Sequence, residues 1–549
     1  MRPRAFTTAI ASLAALIAVA ASAQDKPAAP PPPPRLIVAL SVDQFSADLF
    51  AQYRRHFTGG LARLQNGAVF PSAFQGHAAT ETCPGHSTLL TGVRPARNGI
   101  IANNWFDLSL TRADKRVYCS EDVTDPESSA DKPVVSPRFL KVPTLGEWMK
   151  RQWPGSRNVA VSGKDRAVMM MGGHAIDEGY WWKGTGFSSF KGAVLSPAAV
   201  AENGVIAKMI AHGGKAFAAP AWCGPRDRAV AVGKDSIGQG RFPAPAKDIT
   251  AFARSPRLDA ATFDLAGRLL DQLKLGKGDA PDLLSVSLSA TDYVGHAVGN
   301  EGVEMCIQLD QLDRSMGAFF AKLDKAKIDY AVVLSADHGG VDTVERLDQQ
   351  ALPRAVRVDP ALSPGALGKA ISAQLGIIGI DPLVYGDGPF GDMYLSRALT
   401  PAQKGLALDA LVAKLRSHPQ VAAAFAAGEL SATPTPSGSP QDWTLRDRAR
   451  ASFDPERSGD VVVLLDRAVS PISGPGKGYT STHGSAWDYD RRVPLMFWRK
   501  GMNGFEQPAP VETVDIAPTL AALLKLKVPD GSFDGRCLDL DGAEGNTCQ

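Results

Sequence analysis

Six short runs rich in Val, Ile and Leu punctuate the chain without the polar alternation of a half-exposed sheet: Leu36 to Val42, Asn158 to Val161, Leu283 to Leu288, Tyr330 to Leu334, Asp460 to Leu465 and Val493 to Trp498. Runs of this kind suit parallel strands covered on both faces. Between them lie helical patterns, the clearest being Met305, Leu309, Leu312, Met316, Phe319 and Leu323, whose spacing makes one apolar face. The alternation predicts an α/β fold, a doubly wound and mostly parallel sheet flanked by helices, over residues 36–549. Two stretches, about 168–280 and 342–459, are expected as cap segments inserted above the strand ends. The pair Trp181-Trp182 in the first of them is expected to pack in core or cap rather than to stack on a ligand.

The N-terminus reads as an address. Arg2 and Arg4 precede an apolar run from Ala9 to Ala20, and the small triplet Ala21-Ser22-Ala23 precedes Gln24. This predicts a signal peptide over residues 1–23, a periplasmic or secreted product and no membrane anchor, since the run falls short of the roughly 20 residues of a spanning helix. A proline-rich leader, 24–35, follows.

With 59 basic and 57 acidic residues the formal net charge is only +2, which argues against a nucleic-acid partner; 44% hydrophobic and 21% charged residues describe a globular protein. The cysteines at 83, 119, 223, 306, 537 and 548 contain no CxxC, so a cysteine zinc site is not expected. An exported location permits disulfides, and Cys537 with Cys548, around a short Asp/Gly-rich tail, is the favoured pair.

Chemistry gathers after the runs, where open α/β sheets bind ligands. Asp43 follows the first, Lys164 and Arg166 the second, Asp292 and His296 the third, Asp337 and His338 the fourth, and His483 precedes the last. Carboxylates and imidazoles together suit a divalent metal such as zinc. Asp292 and His296 are one helical turn apart. Adjacent Asp337 and His338 require a bend, for which Gly339-Gly340 are expected to supply the conformational freedom. His56, His77, His174, His212 and His418 lack an equivalent context. Thr82, with Pro84 behind it, falls at the start of a short helix, where amides favour an anion.

The segment Glu81 to Gly92, continued through Arg94 to Ile100, resembles the nucleophile motif of the alkaline phosphatase superfamily, especially its Thr-nucleophile members. Thr513 to Thr519 is similar to that superfamily's closing helix. Lys164-Asp165-Arg166 resembles the phosphate-clamping pair of the PafA/PhoK-type bacterial alkaline phosphatases. The resemblance implies Thr82 as nucleophile, Asn103 as a substrate contact, and two Zn2+ ions: one on Asp292, His296 and His483, the other on Asp43, Thr82, Asp337 and His338. It implies hydrolysis of small-molecule phosphate monoesters through a phosphothreonine, with slower diester cleavage, by an expected monomer. Asp488-Tyr489-Asp490 would suit an additional Ca2+.

Charge counting leads to the same branch. Two divalent ions and four anionic ligands cancel, so Lys164 and Arg166 are left to match the two charges of a monoester. Nucleotide pyrophosphatase/phosphodiesterase activity is the nearest alternative, and a non-catalytic periplasmic metal- or phosphate-binding protein is another. A formylglycine sulfatase is disfavoured, because Thr82 holds the nucleophile position and no matching arginine follows Pro84.

Overall fold

The computed structural model describes residues 32–352, 354–476, 478–542 and 546–548. The expected signal peptide and most of the leader lie outside them. The main sheet has ten strands, and its order along one path is 505–506, 68–74, 492–499, 330–335, 36–42, 282–288, 158–162, 178–183 and 186–188. The four central runs, Leu36–Val42, Asn158–Ser162, Asp282–Leu288 and Tyr330–Ser335, are mutually parallel and wholly buried. Their register pairs Ser41 with Ser287 and Ser335, and Ser287 with Ser162. A row of serines thus marks the level at which all four strands end, and the residues after them emerge side by side.

The helix Val303–Lys325 buries Met305, Leu309, Leu312, Met316, Phe319 and Leu323, as its spacing predicts. They join one large core with Leu36, Ile37, Val286 and Leu334. Among the described residues no helix is long and apolar enough to cross a membrane.

Three expectations change. The strand Val461–Leu465 does not join the main sheet; it lies in a separate four-stranded antiparallel sheet with 384–385, 391–395 and 421–426. That sheet and the helices Pro364–Leu375 and Pro401–Arg416 share a second core of Leu367, Ile371, Leu411, Leu415 and Val463. A strand covered on both faces carries the same all-apolar pattern in either sheet, so the pattern could not assign it. Arg492–Arg499 does join the main sheet, but antiparallel to Tyr330–Ser335. Finally, much of 168–280 is not cap: Glu178–Lys183 and Gly186–Ser188 extend the main sheet, and the helix Pro256–Leu273 sends Phe263, Leu265 and Leu269 into the main core. Trp181 meets Phe190 and Trp182 stacks on Phe252, so both tryptophans serve packing.

Disulfides join Cys83 to Cys119, Cys223 to Cys306 and, as expected, Cys537 to Cys548. Thr82–Thr91 forms the predicted short helix, every residue of it buried, ended by Gly92 at φ 67°. Its first turn presses on the end of the 330–335 strand so closely that a Cβ on Gly85 would collide with the Asp337 carbonyl. Thr513, from the closing segment, bonds Thr88 on the same helix at 2.9 Å. Gly85→Ala is therefore expected to lower stability by about 1–3 kcal/mol or more through overpacking. Gly155→Ala, with nothing within 4 Å of the new Cβ, is the control. Thermal denaturation of the two variants tests this, and equal midpoints would refute the close fit.

Candidate active site

The strand ends deliver their side chains to one place. Asp43 and Asp337 are fully buried, and Asp292 and Lys164 nearly so. The Lys164 ammonium lies 2.5 Å from Asp43 and 2.6 Å from Asp292, and it donates to Thr82 Oγ1 at 3.4 Å. Arg166 Nη2 donates to the same oxygen at 3.3 Å. The residues singled out at four separate strand ends thus converge on the first residue of the Thr82–Thr91 helix.

Asp292, His296 and His483 form one group of potential metal ligands, and Asp43, Asp337 and His338 another, with donor atoms in each group within 4.8 Å of one another. The Nδ1 atoms of His296, His338 and His483 lie 2.9, 2.8 and 2.8 Å from the carbonyls of Ser481, Gly339 and Thr80. A carbonyl can only accept, so each Nδ1 carries the hydrogen and each Nε2 keeps its lone pair. Those Nε2 atoms face carboxylates: His296 and His483 meet Asp292 Oδ1 at 3.2 and 3.4 Å, and His338 meets Asp337 Oδ2 at 3.3 Å. Burial lowers the His338 pKa to about 3 and lowers that of His483 as well, which keeps both neutral.

Asp43 Oδ1, Asp337 Oδ2 and His338 Nε2 are buried with no hydrogen-bond partner. Buried polar atoms are rarely left so, and these have the identity and spacing of ligands. Burial, then the charges of Asp292 and Asp337, push the Asp43 carboxyl well above its ordinary range. Three carboxylates around one ammonium leave the centre short of positive charge, and divalent cations fit that deficit.

Local structure explains the placement. The left-handed turn that frees Asp43 from its strand is at Gln44, φ 64°. The Gln44 amide donates to Asp337 Oδ1 at 3.1 Å, and its side chain, with amide oxygen and nitrogen exchanged, donates to Asp292 Oδ1 at 3.1 Å. Gly339 and Gly340 prove necessary for room rather than for conformational freedom: their φ values are ordinary, but a Cβ would strike Tyr489 O or the Gln44 side chain. The loop carrying His483 is tied to the helix Ala290–Val298 by the Thr480 amide on the His296 carbonyl, 2.7 Å.

Asn103 stands beside the Thr82–Thr91 helix, its Oδ1 accepting from the Cys83 amide at 2.8 Å. Asn103, Arg166, Asp292, His296 and His483 line a pocket of about 480 Å3. Several groups here escaped the sequence reading. His86 lies 2.9 Å from the Thr82 carbonyl and 3.1 Å from Asp337, four residues along the helix from Thr82; that spacing was the available signal. Tyr118 accepts from Arg166 at 3.5 Å and donates to Asp165 at 2.5 Å, next to the Cys83–Cys119 bridge that staples it to the helix. No periodicity marks such a contact. Asp488 and Asp490, considered for calcium, are engaged elsewhere, with Arg491 and with the Ser485 amide. His174 and His418 pair with Glu147 and Asp359, His56 stacks on Trp222, and His212 lies near the Lys208 carbonyl. His77 is buried and belongs to neither group of potential ligands.

Comparison with known proteins agrees with the geometry. Residues 37–488 match the family model for type I phosphodiesterase / nucleotide pyrophosphatase. The chain is 52% identical to alkaline phosphatase PhoK of a Sphingomonas species over 94% of its length and 92% of the relative's. It is 50% identical to alkaline phosphatase PhoD of Zymomonas mobilis, over 94% and 89%. The crystal structure of alkaline phosphatase PafA superposes with a TM-score of 0.80 at 26% identity, covering 93% of this chain and 99% of the other. The chain therefore belongs to the type I phosphodiesterase/nucleotide pyrophosphatase family, and within it to the PafA/PhoK-type alkaline phosphatases.

Proposed function

We propose that this protein is an exported, zinc-dependent alkaline phosphatase that hydrolyses phosphate monoesters through a phosphothreonine at Thr82. The observation that carries the reading is the Thr82 hydroxyl, held by Lys164 and Arg166 at a helix start beside two acid–imidazole groups. The names of the PhoK and PhoD relatives support the activity. The N-terminal pattern of residues 1–23 supports export, with 36–549 as the catalytic domain.

Asp292, His296 and His483 would hold one ion, and Asp43, Asp337 and His338, with Thr82, the other. Such ions would lower the pKa of the Thr82 hydroxyl and offset charge on the phosphoryl oxygens. Thr82 Oγ forms a bond to phosphorus as the ester P–O bond breaks in line; the threonine gives up its proton and the leaving alcohol gains one. Water then attacks the phosphothreonine, breaking the Thr82 P–O bond, releasing phosphate and restoring the hydroxyl. Arg166, Lys164 and Asn103 orient the phosphoryl group and meet its charge, which is most of what phosphoryl transfer demands. The arrangement Tyr118–Asp165 holds the Arg166 fork in place. A diester offers less charge and fewer free oxygens to that pair, so diester cleavage is the slower activity.

Thr82→Ala is expected to fold and bind zinc but lose nearly all turnover, and Thr82→Ser to keep part of it. Mass spectrometry of wild-type protein quenched with substrate should find phosphate on Thr82. Substantial activity in a metal-replete alanine variant would exclude the covalent route.

Chelation is expected to abolish p-nitrophenyl phosphate hydrolysis and to lower the thermal midpoint, since Asp43, Asp292 and Asp337 are then buried against Lys164 alone. Zinc should restore both, at two ions per chain by elemental analysis.

Arg166→Ala is the cleaner test of monoester preference, because Lys164 also touches ligand carboxylates. Loss of a charge-assisted contact worth ~1.5–3 kcal/mol should slow a monoester roughly 10- to 150-fold. A diester should lose less, so the monoester-to-diester ratio falls; parallel losses would mean that Arg166 supports the site generally.

A further inference from the structure

The pocket lined by Asp292, His296 and His483 is larger than a phosphoryl group requires. Its volume of about 480 Å3 falls in the range of roughly 300–1,000 Å3 that encloses small organic ligands. Its lining has two neighbourhoods. Asn103 and Arg166 belong to the Thr82 side, with Arg166 bonded to Thr82 itself. Gly478, Tyr479 and Arg254 belong to the His296 side, where the Tyr479 ring stacks on His296 at 4.5 Å between centroids. In-line displacement sends the leaving group away from Thr82, which puts it against the second neighbourhood.

Arg254 follows the short helix Ile249–Ala253. Its guanidinium packs against Gly478 so closely that a Cβ there would lie 2.7 Å from Nη1, and Gly478 adopts φ +68°. Among the described residues this guanidinium has neither a hydrogen bond nor an ion pair. The acids that share the lining are already engaged: Asp387 accepts from Asn104 at 3.0 Å and lies 3.7 Å from Arg116, Glu81 accepts from the Asn103 amide, and Asp292 holds Lys164. Phe390, Pro471 and Ile472 add apolar lining to the same pocket. Apolar lining together with an uncommitted fork of donors matches an organic frame that bears an anion.

We infer that Arg254 is a second anion-recognition point, and that the preferred substrates are phosphate monoesters whose leaving group carries a further anionic group, a carboxylate or a second phosphate. This rests on the monoesterase reading and adds the substrate class to it. Neither the metal groups nor Lys164 and Arg166 provide this selectivity, because they address the transferred phosphoryl group.

The test compares kcat/KM for 3-carboxyphenyl phosphate, 1,3-phenylene bisphosphate and neutral 3-carbamoylphenyl phosphate, in zinc-loaded wild type, Arg254→Gln and Arg254→Lys. The carboxyl and carbamoyl compounds release phenols of similar acidity, so their ratio isolates the distal charge. The expected result is that Arg254→Gln lowers the charged-to-neutral ratio about threefold to tenfold, with Arg254→Lys between, as for a partly exposed ion pair in which the fork matters. The carboxylate and bisphosphate arms show which anion the fork prefers. Ratios that Arg254→Gln leaves unchanged would overturn the inference while the monoesterase reading stands. Failure of wild type to hydrolyse any of the three would overturn the monoesterase reading and this inference with it.

Discussion

Three carboxylates buried in one network set the terms for the whole molecule. Asp43, Asp292 and Asp337 sit where water cannot screen them, and like charges so placed force one another toward protonation unless positive charge is supplied. Lys164 supplies one charge, and three imidazoles of the two potential metal-ligand groups stand around the same carboxylates. Everything that fixes this cluster works against its repulsion: strands in matched register, a left-handed turn at Gln44, glycines that let backbone approach backbone. A fold that only needed stability would place apolar groups there.

How far the chain could be read from its residues differed between site and scaffold. Asp43, Lys164, Arg166, Asp292, His296, Asp337 and His338 were legible because each comes within about two helical turns of the end of a buried strand, and a parallel sheet brings such positions to one edge regardless of the turns between. Thr82, Asn103 and His483 were legible through the motif resemblance. The contacts that orient these groups were not. Gln44, His86 and Tyr118 act through pairings with residues from 47 to 293 positions distant, for instance Tyr118 on Asp165 and the Gln44 amide on Asp337, and apart from the one-turn spacing of His86 from Thr82 no local pattern encodes them.

The scaffold misled in an instructive way. The run ending at Leu465 is as apolar as the strand Tyr330–Ser335, yet one lies in an antiparallel sheet with its own core and the other at the centre of the molecule. Coverage on both faces is what a sequence records, and two different layers can provide it. Likewise, the 168–280 stretch carries no catalytic motif in its sequence but contributes sheet edge and core.

The separate core of the second sheet bears on how such a protein changes over time. Phe390 belongs to that layer, packed against its core, and it also lines the pocket. Asp43, Asp292 and Asp337, in contrast, hang from the strands of the first core. Substitutions that reshape the wall around a leaving group can therefore accumulate without loosening the strands that aim the ligands. Descendants of one ancestor could diverge in what they accept while inheriting the same way of breaking a phosphorus–oxygen bond.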